Sequence, residues 1–276
     1  MISIIIPANN EEALLPRCLS ALAASDVVAE GVEVIVAANA CTDGTVAAAE
    51  LWAQSFVNRG WSMHVLDLAE GGKMNAMNQG DAKARGDKRV YLDADVVVDP
   101  VLLSELSDML SGSQPIYASG DVRIAQPQSW VSRAYREIYM RVPFFTQDVP
   151  GCGLFAVNAP GRARWAAFPD IISDDTFVRL CFPPSERKKT KAGYDWPIVE
   201  GFGNLVKVRR RQNIGVDQVA QMYPELQAND TKPQMGMRRM LGLAFSHPLG
   251  FCVYGAVAIV VKMTQAQADA AWSRGR

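Results

Sequence analysis

Apolar positions in the first 110 residues fall into two alternating kinds of run. Residues 2–7 are continuous, apolar and rich in β-branched side chains, the pattern of a strand covered on both faces. Residues 11–24 follow with Leu15, Leu19 and Leu22 at helical spacing, and Pro16 falls where a first helical turn tolerates it. The alternation continues as a strand at 32–38, a helix at 45–56, a strand at 63–68, a helix at 73–84, a strand at 89–92 and a helix at 101–110. Thr42-Asp43-Gly44 supplies a turn and cap before the second of these helices. Such alternation predicts a parallel sheet with right-handed crossovers, whose ligands bind at the carboxyl ends of the strands.

From residue 116 the alternation loosens. The pattern predicts a strand at 116–124, a helix at 128–141, a strand at 153–157 and a helix at 174–181 that stops before Pro183-Pro184. A charged loop is expected at 185–191, strand-like pieces over 194–208 and a helix at 216–225. Residues 235–263 are apolar with interruptions. They read as two short helices meeting near Pro248, the second continuing to Trp272, with Arg238, Arg239 and Lys262 at the flanks. That stretch either packs as a helical pair or lies in a membrane interface; a true span is the third alternative.

A chain of 276 residues, 49% of them hydrophobic, can bury a sizeable core, which excludes intrinsic disorder. The net charge of −1 excludes a strongly basic nucleic-acid binder, and no nucleic-acid-binding pattern accompanies the basic runs Arg187-Lys188-Lys189 and Arg209-Arg210-Arg211. The total hides a division. Residues 1–184 carry 14 basic and 22 acidic side chains, and residues 185–276 carry 14 basic and 7 acidic. The five cysteines are scattered and form no CxxC pair, which fits a reducing cytoplasm better than a disulfide or zinc framework. No signal peptide is expected, because an apolar strand begins at once.

The sharpest chemical signal is Asp93-Ala94-Asp95, two carboxylates emerging at the carboxyl end of a buried strand. Oxygen-only ligands suit Mg²⁺ or Mn²⁺, which could bridge to a diphosphate. The ends of the first two strands, Pro7-Ala8-Asn9-Asn10-Glu11-Glu12 and Asn39-Ala40-Cys41-Thr42-Asp43-Gly44, would face the same crevice. Asn39 offers a donor and an acceptor, as a base-edge reader needs; ordinary turn chemistry explains each asparagine equally well. Gly71-Gly72-Lys73 opens a helix with a flexible pair and a cation, which favours an anion, although its spacing fits neither a Walker A loop nor GxGxxG. Asp174-Asp175 stands at a helix start, where one aspartate can cap and its neighbour serve as a general base. Gly151-Cys152-Gly153 would let backbone approach a ligand closely, or form a tight turn.

In this order the signals resemble the family 2 glycosyltransferases, over roughly residues 1–225. The resemblance implies an α/β, GT-A type fold with a mostly parallel Rossmann-like sheet, flanking helices and a C-terminal helical tail. It divides the chain into a nucleotide-sugar-binding half (1–115), an acceptor-binding half (116–225) and a helical segment (226–276) able to touch a membrane through 235–263. It implies an inverting transfer of a sugar from a nucleoside-diphosphate sugar to a carbohydrate or lipid-linked acceptor, in glycan, exopolysaccharide or glycolipid synthesis; the chain is expected in the cytoplasm, with the inner face of the cell membrane as the alternative. Pro7, Ala8, Asn9, Glu11, Asn39, Lys73, Asp93, Ala94 and Asp95 then fall on donor-contacting positions. Asp95 and Asp93 would hold Mg²⁺ or Mn²⁺. Gly151, Cys152 and Gly153 fall on the acceptor side, and Asp175, with Asp174 next, on the base. The chain departs from the family at Asn9, often aromatic there, and at Ala38-Asn39, often acidic. Asp174 replaces the usual glutamate, and no clear QxxRW follows. The competing readings are a sugar-1-phosphate nucleotidyltransferase, whose glycine-rich basic opening loop is missing after the first strand, and an inactive glycosyltransferase-like scaffold.

Overall fold

Strands with no polar face must be covered on both sides, and this one requirement organises the computed structural model, which describes residues 1–231 and 234–264. In chain order the elements are β1 (Ile2–Ala8), α1 (Leu15–Ala23), β2 (Val32–Asn39), α2 (Thr45–Glu50), α3 (Ala53–Asn58), β3 (Ser62–Leu68), α4 (Lys73–Lys83), β4 (Lys88–Leu92), β5 (Val97–Val98) and α5 (Leu102–Met109). They continue as β6 (Tyr117–Ile124), α6 (Trp130–Tyr139), α7 (Pro143–Gln147), β7 (Leu154–Asn158), α8 (Ala159–Arg162), α9 (Asp174–Leu180), β8 (Arg187–Trp196), α10 (Phe202–Met222), α11 (Met237–Ser246) and α12 (Pro248–Thr264).

The strands form a sheet in the order β3-β2-β1-β4-β7-β6-β8-β5. β3, β2, β1 and β4 are parallel, with Ile2 level with Val32 and Lys88. β7 then enters antiparallel to β4, setting Leu92 against Leu154. This is the α/β class with a mostly parallel sheet and flanking helices that the sequence predicts. The chain divides into two compact units. The first, Met1–Val122 with Gly151–Asp170 and Cys181–Trp196, contains the sheet and the main core of Ile, Val and Leu side chains. The second, Arg123–Pro150 with Ile171–Leu180 and Pro197–Arg276, is helical over most of its described residues.

Two details show how tightly the parallel sheet is closed. α4 lies on β1 and β2 through Gly80, where a Cβ would come within 2.6 Å of the Ile5 side chain. At the start of β2 the carboxylate of Glu33 is fully buried. It accepts hydrogen bonds from Ser3 Oγ (2.6 Å), the Arg85 backbone N–H (2.6 Å) and Arg85 Nε (3.1 Å). Burial alone would raise its pKa, but these donors outweigh burial and hold it below the usual carboxylate range.

The second half corrects several sequence expectations. The charged loop expected at 185–191 is mostly strand β8, because Arg187 and Thr190 turn inward while Lys188, Lys189 and Lys191 stay outside. The strand-like pieces over 194–208 give way to the end of β8 and the first turns of α10, and the helix expected at 216–225 is the last part of that longer helix, which ends at Met222. The valines that suggested strand, Val206 and Val208, are helical, and Gly201, at φ 83°, sets the start. The helix expected at 45–56 breaks at Leu51-Trp52 into α2 and α3. The two tail helices meet at His247 as expected, bent by 119°. The expected continuation to Trp272 lies outside the described residues.

Replacing Glu33 by glutamine should lower unfolding stability by about 1.5–3 kcal/mol at neutral pH, the range for a lost charged hydrogen-bond set. A depressed carboxylate contributes stability above its unfolded pKa of about 4.3 and loses it as pH falls through the folded value. The difference between wild type and Glu33→Gln, followed by denaturant titration, should therefore shrink below that pH.

Candidate functional site

The carboxyl ends of β1, β2 and β4 lie side by side in the first unit, so the residues that follow them share one edge. Their loops are laced by side-chain to backbone hydrogen bonds. Asn39, buried at the end of β2, donates through Nδ2 to the Ala8 carbonyl (2.7 Å) and accepts through Oδ1 from the Gly72 N–H (3.0 Å). Asn9 donates to the Asn39 carbonyl (2.6 Å). Asn10, in the left-handed region at φ 55°, accepts from the Thr42 N–H (2.8 Å). Asp43 accepts from the backbone N–H groups of Thr45 (3.0 Å) and Glu12 (3.2 Å), and the Glu11 N–H donates to Thr45 Oγ1 (2.7 Å). Burial works the other way, yet the donors from Thr45 and Glu12 hold Asp43 below the usual carboxylate range.

The third component is Gly72, whose φ of 116° only glycine adopts readily. Its N–H is tied to Asn39, and the next residue, Lys73, begins α4. The Lys73 Nζ stands 2.9 Å from Asp93 Oδ1. The structure therefore brings together, at one sheet edge, the lysine and the carboxylate that the sequence singled out 20 residues apart.

The turn Asp93-Ala94-Asp95 is fixed from behind. The Asp93 N–H donates to the Gly153 carbonyl (2.8 Å), and the Cys18 thiol lies under the Asp93 carbonyl at 3.8 Å. Burial pushes the Cys18 thiol far above its ordinary pKa, with the charges of Asp95 and Asp93 adding to the effect. Gly151 (φ 70°) and Gly153 (φ 73°) hold the facing loop. A Cβ on Gly151 would collide with the Tyr117 hydroxyl, and one on Gly153 would come within 2.7 Å of Trp196 and 2.8 Å of Val96. The Tyr194 hydroxyl clamps the intervening residue by donating to the Cys152 carbonyl (2.7 Å). Sequence reading missed Tyr194, Cys18 and Trp196, because nothing local marks a side chain whose partner lies 42 to 75 residues away.

Asp93 and Asp95 form an oxygen-only pair suited to a hard divalent cation. The Lys73 ammonium at 2.9 Å shows that Asp93 already receives a positive charge. Among the described residues no group of three or more His, Cys, Asp or Glu side chains could hold a metal by itself.

Asp174 and Asp175 belong to the second unit, at the start of α9. Asp174 is buried; Asp175 is half-buried, and its Oδ1 accepts from the Thr176 N–H (2.7 Å). α10 passes close by Ser173 at Gly215, where a Cβ would collide with the serine hydroxyl. Further along α9, Arg179 makes a buried pair with Asp148 (2.8 Å). Arg209 stacks on Tyr139 and Tyr254 rather than facing solvent.

The sequence profile of Glycosyl transferase family 2 matches residues 3–163. Among solved structures, the chain is similar to the mannosyltransferase PcManGT from Pyrobaculum calidifontis, solved in complex with GDP-Man and Mn²⁺. The identity is 20% and the TM-score 0.62, over 97% of this chain and 76% of that one. It is also similar to S. aureus TarS at 13% identity and a TM-score of 0.56, over 95% of this chain and 55% of TarS, so it spans about half of that protein's length. A third similarity is to glucosyl-3-phosphoglycerate synthase from Mycobacterium tuberculosis, solved with Mn²⁺ and uridine-diphosphate-glucose. There the identity is 18% and the TM-score 0.52, over 79% of this chain and 78% of that one. At these identities the likeness is one of fold. No curated protein sequence matches the chain significantly.

Two glycine substitutions, Gly60 at the amino end of β3 and Gly153 at the site, separate backbone strain from packing. Gly60 has φ 74° and nothing within 4 Å of a built Cβ, so Gly60→Ala should cost only about 1–2 kcal/mol for the left-handed backbone. Gly153→Ala carries the same backbone cost and a clash with Trp196 and Val96, and should cost about 1–3 kcal/mol more. Thermal unfolding of the two variants checks the difference.

Proposed function

Because this chain belongs to Glycosyl transferase family 2, we propose that it is an inverting glycosyltransferase that moves a sugar from a nucleoside-diphosphate sugar to an acceptor hydroxyl. The observation that carries this reading is the Lys73–Asp93 pair at the carboxyl end of β4, beside Asp95 and tied through Gly72 to Asn39. A lysine, a carboxylate pair and three strand ends at one edge make a seat for a diphosphate and its counter-ion. The fold-level relatives PcManGT and the mycobacterial synthase, solved with nucleotide sugars and Mn²⁺, support the same choice of donor and ion.

In this reading Pro7, Ala8, Asn9, Glu11 and Asn39 line the nucleotide. Asn39 acts chiefly by position, since its amide is already committed to Ala8 and Gly72. Asp95, with Asp93 and the Ala94 turn between them, would hold Mg²⁺ or Mn²⁺ against the diphosphate. When bound, the ion would offset the negative charge that gathers on the departing nucleoside diphosphate. Lys73 adds a second positive charge to the same group and exchanges Asp93 for phosphate oxygen. Gly151, Cys152 and Gly153 line the acceptor side. Asp175 is the general base, with Asp174 the next candidate. The acceptor oxygen attacks the anomeric carbon from the face opposite the diphosphate and forms the new C–O bond. The bond to the diphosphate oxygen breaks, and its electron pair leaves with the nucleoside diphosphate. The acceptor proton passes to the Asp175 carboxylate. Positioning and charge stabilisation supply most of the acceleration. The acceptor is a carbohydrate or lipid-linked hydroxyl, met at the cytoplasmic face of a membrane during glycan, exopolysaccharide or glycolipid synthesis.

Asp175→Asn should lower kcat by about 10²–10⁴-fold, the usual contribution of a general base, while donor affinity stays close to that of the wild type. Steady-state transfer and isothermal titration with the nucleotide sugar check both halves. Transfer at the wild-type rate would remove Asp175 from the mechanism. Lack of transfer or donor hydrolysis by the wild type across a donor panel with Mn²⁺ would favour the inactive scaffold.

A further inference from the structure

α12 has two faces that meet different surroundings. Its inner face is committed to protein: Gly250, Val253, Val257 and Val261 are buried. Gly250 lies so close to α6 that a Cβ would come within 2.7 Å of the Ala134 carbonyl. Tyr254 packs on Tyr135, with ring centroids 5.1 Å apart. The opposite face carries Leu249, Cys252, Ala256, Ile259 and Met263, at steps of three and four residues, and all are exposed. Leu249 is 58% exposed, Ile259 60% and Met263 76%. On α11 a second apolar row, Met237, Leu241 and Phe245, steps by four, and Phe245 is 87% exposed. An apolar surface of this length is unusual on a water-facing helix pair.

The charges carried by the two helices themselves are one-sided, although Glu137 of α6 reaches their junction, its carboxylate 3.6 Å from His247 Nδ1. Between Asp230 and Thr264 the chain has no aspartate or glutamate, while the exposed Arg238, Arg239 and Lys262 flank the two apolar rows. Two copies of this face meeting each other would bring basic rim to basic rim, which disfavours self-association. No single helix among the described residues is long and apolar enough to cross a membrane. The bent pair together has the length and composition of a broken span, but the inner face of α12 is covered by protein, with Gly250 against α6.

From this we infer that α11 and α12 form an interfacial seat on an anionic lipid surface. The rows Met237–Leu241–Phe245 and Leu249–Ile259–Met263 enter the acyl boundary, and Arg238, Arg239 and Lys262 meet the headgroups. The inference names the surface that would bring the enzyme to the membrane-side acceptor proposed above. It rests on the tail residues alone and is tested without donor or acceptor, so its failure would leave the transfer chemistry untouched.

The test is flotation of the full chain with vesicles of phosphatidylcholine, alone or mixed with phosphatidylglycerol. The wild type should float with the mixed vesicles, less with the neutral ones, and less again as salt rises. Phe245→Asp with Ile259→Asp should weaken binding by at least about tenfold, because two large apolar side chains no longer enter the lipid. Arg238→Gln with Arg239→Gln should weaken binding to the mixed vesicles by about fivefold per charge and leave the neutral vesicles unaffected. All four positions are exposed, and unchanged thermal unfolding of each variant confirms that the fold is intact. A wild type that stays at the bottom of the gradient would overturn the inference. So would flotation insensitive to Phe245→Asp with Ile259→Asp, or a wild-type dimer in solution that these substitutions convert to monomer.

Discussion

The edge formed by the carboxyl ends of β1, β2 and β4 depends on one buried side-chain amide. Asn39 ends β2, yet its two polar atoms serve other segments: the donor reaches the end of β1 and the acceptor takes the N–H of Gly72. A buried amide with both ends satisfied fixes geometry strongly, because losing either partner leaves a polar group stranded away from water. Through Gly72 that constraint passes to the start of α4 and so to Lys73, whose ammonium meets Asp93 at the end of β4. One residue thus sets the spacing of three neighbouring loops.

The opposite side of the Asp93 turn is held by shape. Gly151 and Gly153 adopt left-handed backbone in places where aromatic rings leave no room for a Cβ. Tyr194 grips the carbonyl between them. The result is that the backbone of Asp93 is held on both sides, its N–H by the Gly153 carbonyl and its carbonyl by the Val96 N–H and the Cys18 thiol. The charge division along the chain acquires a spatial meaning as well. The acidic surplus of residues 1–184 includes Asp43, Asp93 and Asp95 on the sheet edge, whereas Arg238, Arg239 and Lys262 flank the apolar pair α11–α12, whose own residues include no acid.

The parallel half of the fold was legible because β1 and β2 are mostly apolar and β4 ends in the run Val90-Tyr91-Leu92, and a strand buried on both faces has few other ways to look. The turns after them were legible as candidate chemistry for the same reason, since strand polarity determines which end faces a ligand. The second half was harder. β8 carries four basic residues and resembles a solvated loop until its neighbours show that Arg187 donates to the Phe182 carbonyl and Lys189 pairs with Asp121. α10 mixes valine, glycine and arginine, which weakens its helical periodicity, and only packing decides the matter. Within the site, Asp93, Lys73 and Asn39 could be named from sequence. Their mutual contacts could not, and neither could the roles of Tyr194 and Trp196, because both depend on long-range register. Asn39 looked like a free base reader for the same reason: its commitment to Ala8 and Gly72 shows only once the strands are aligned.

The central claim is that this edge binds a nucleoside-diphosphate sugar together with a divalent cation. The most direct measurement is calorimetric titration of the full chain with UDP- and GDP-sugars, with and without Mn²⁺. The account predicts saturable one-to-one binding of at least one donor, strengthened by about tenfold or more when the ion is present, which corresponds to roughly 1.4 kcal/mol. Equal affinity with and without the ion, or no donor binding in either condition, would contradict it.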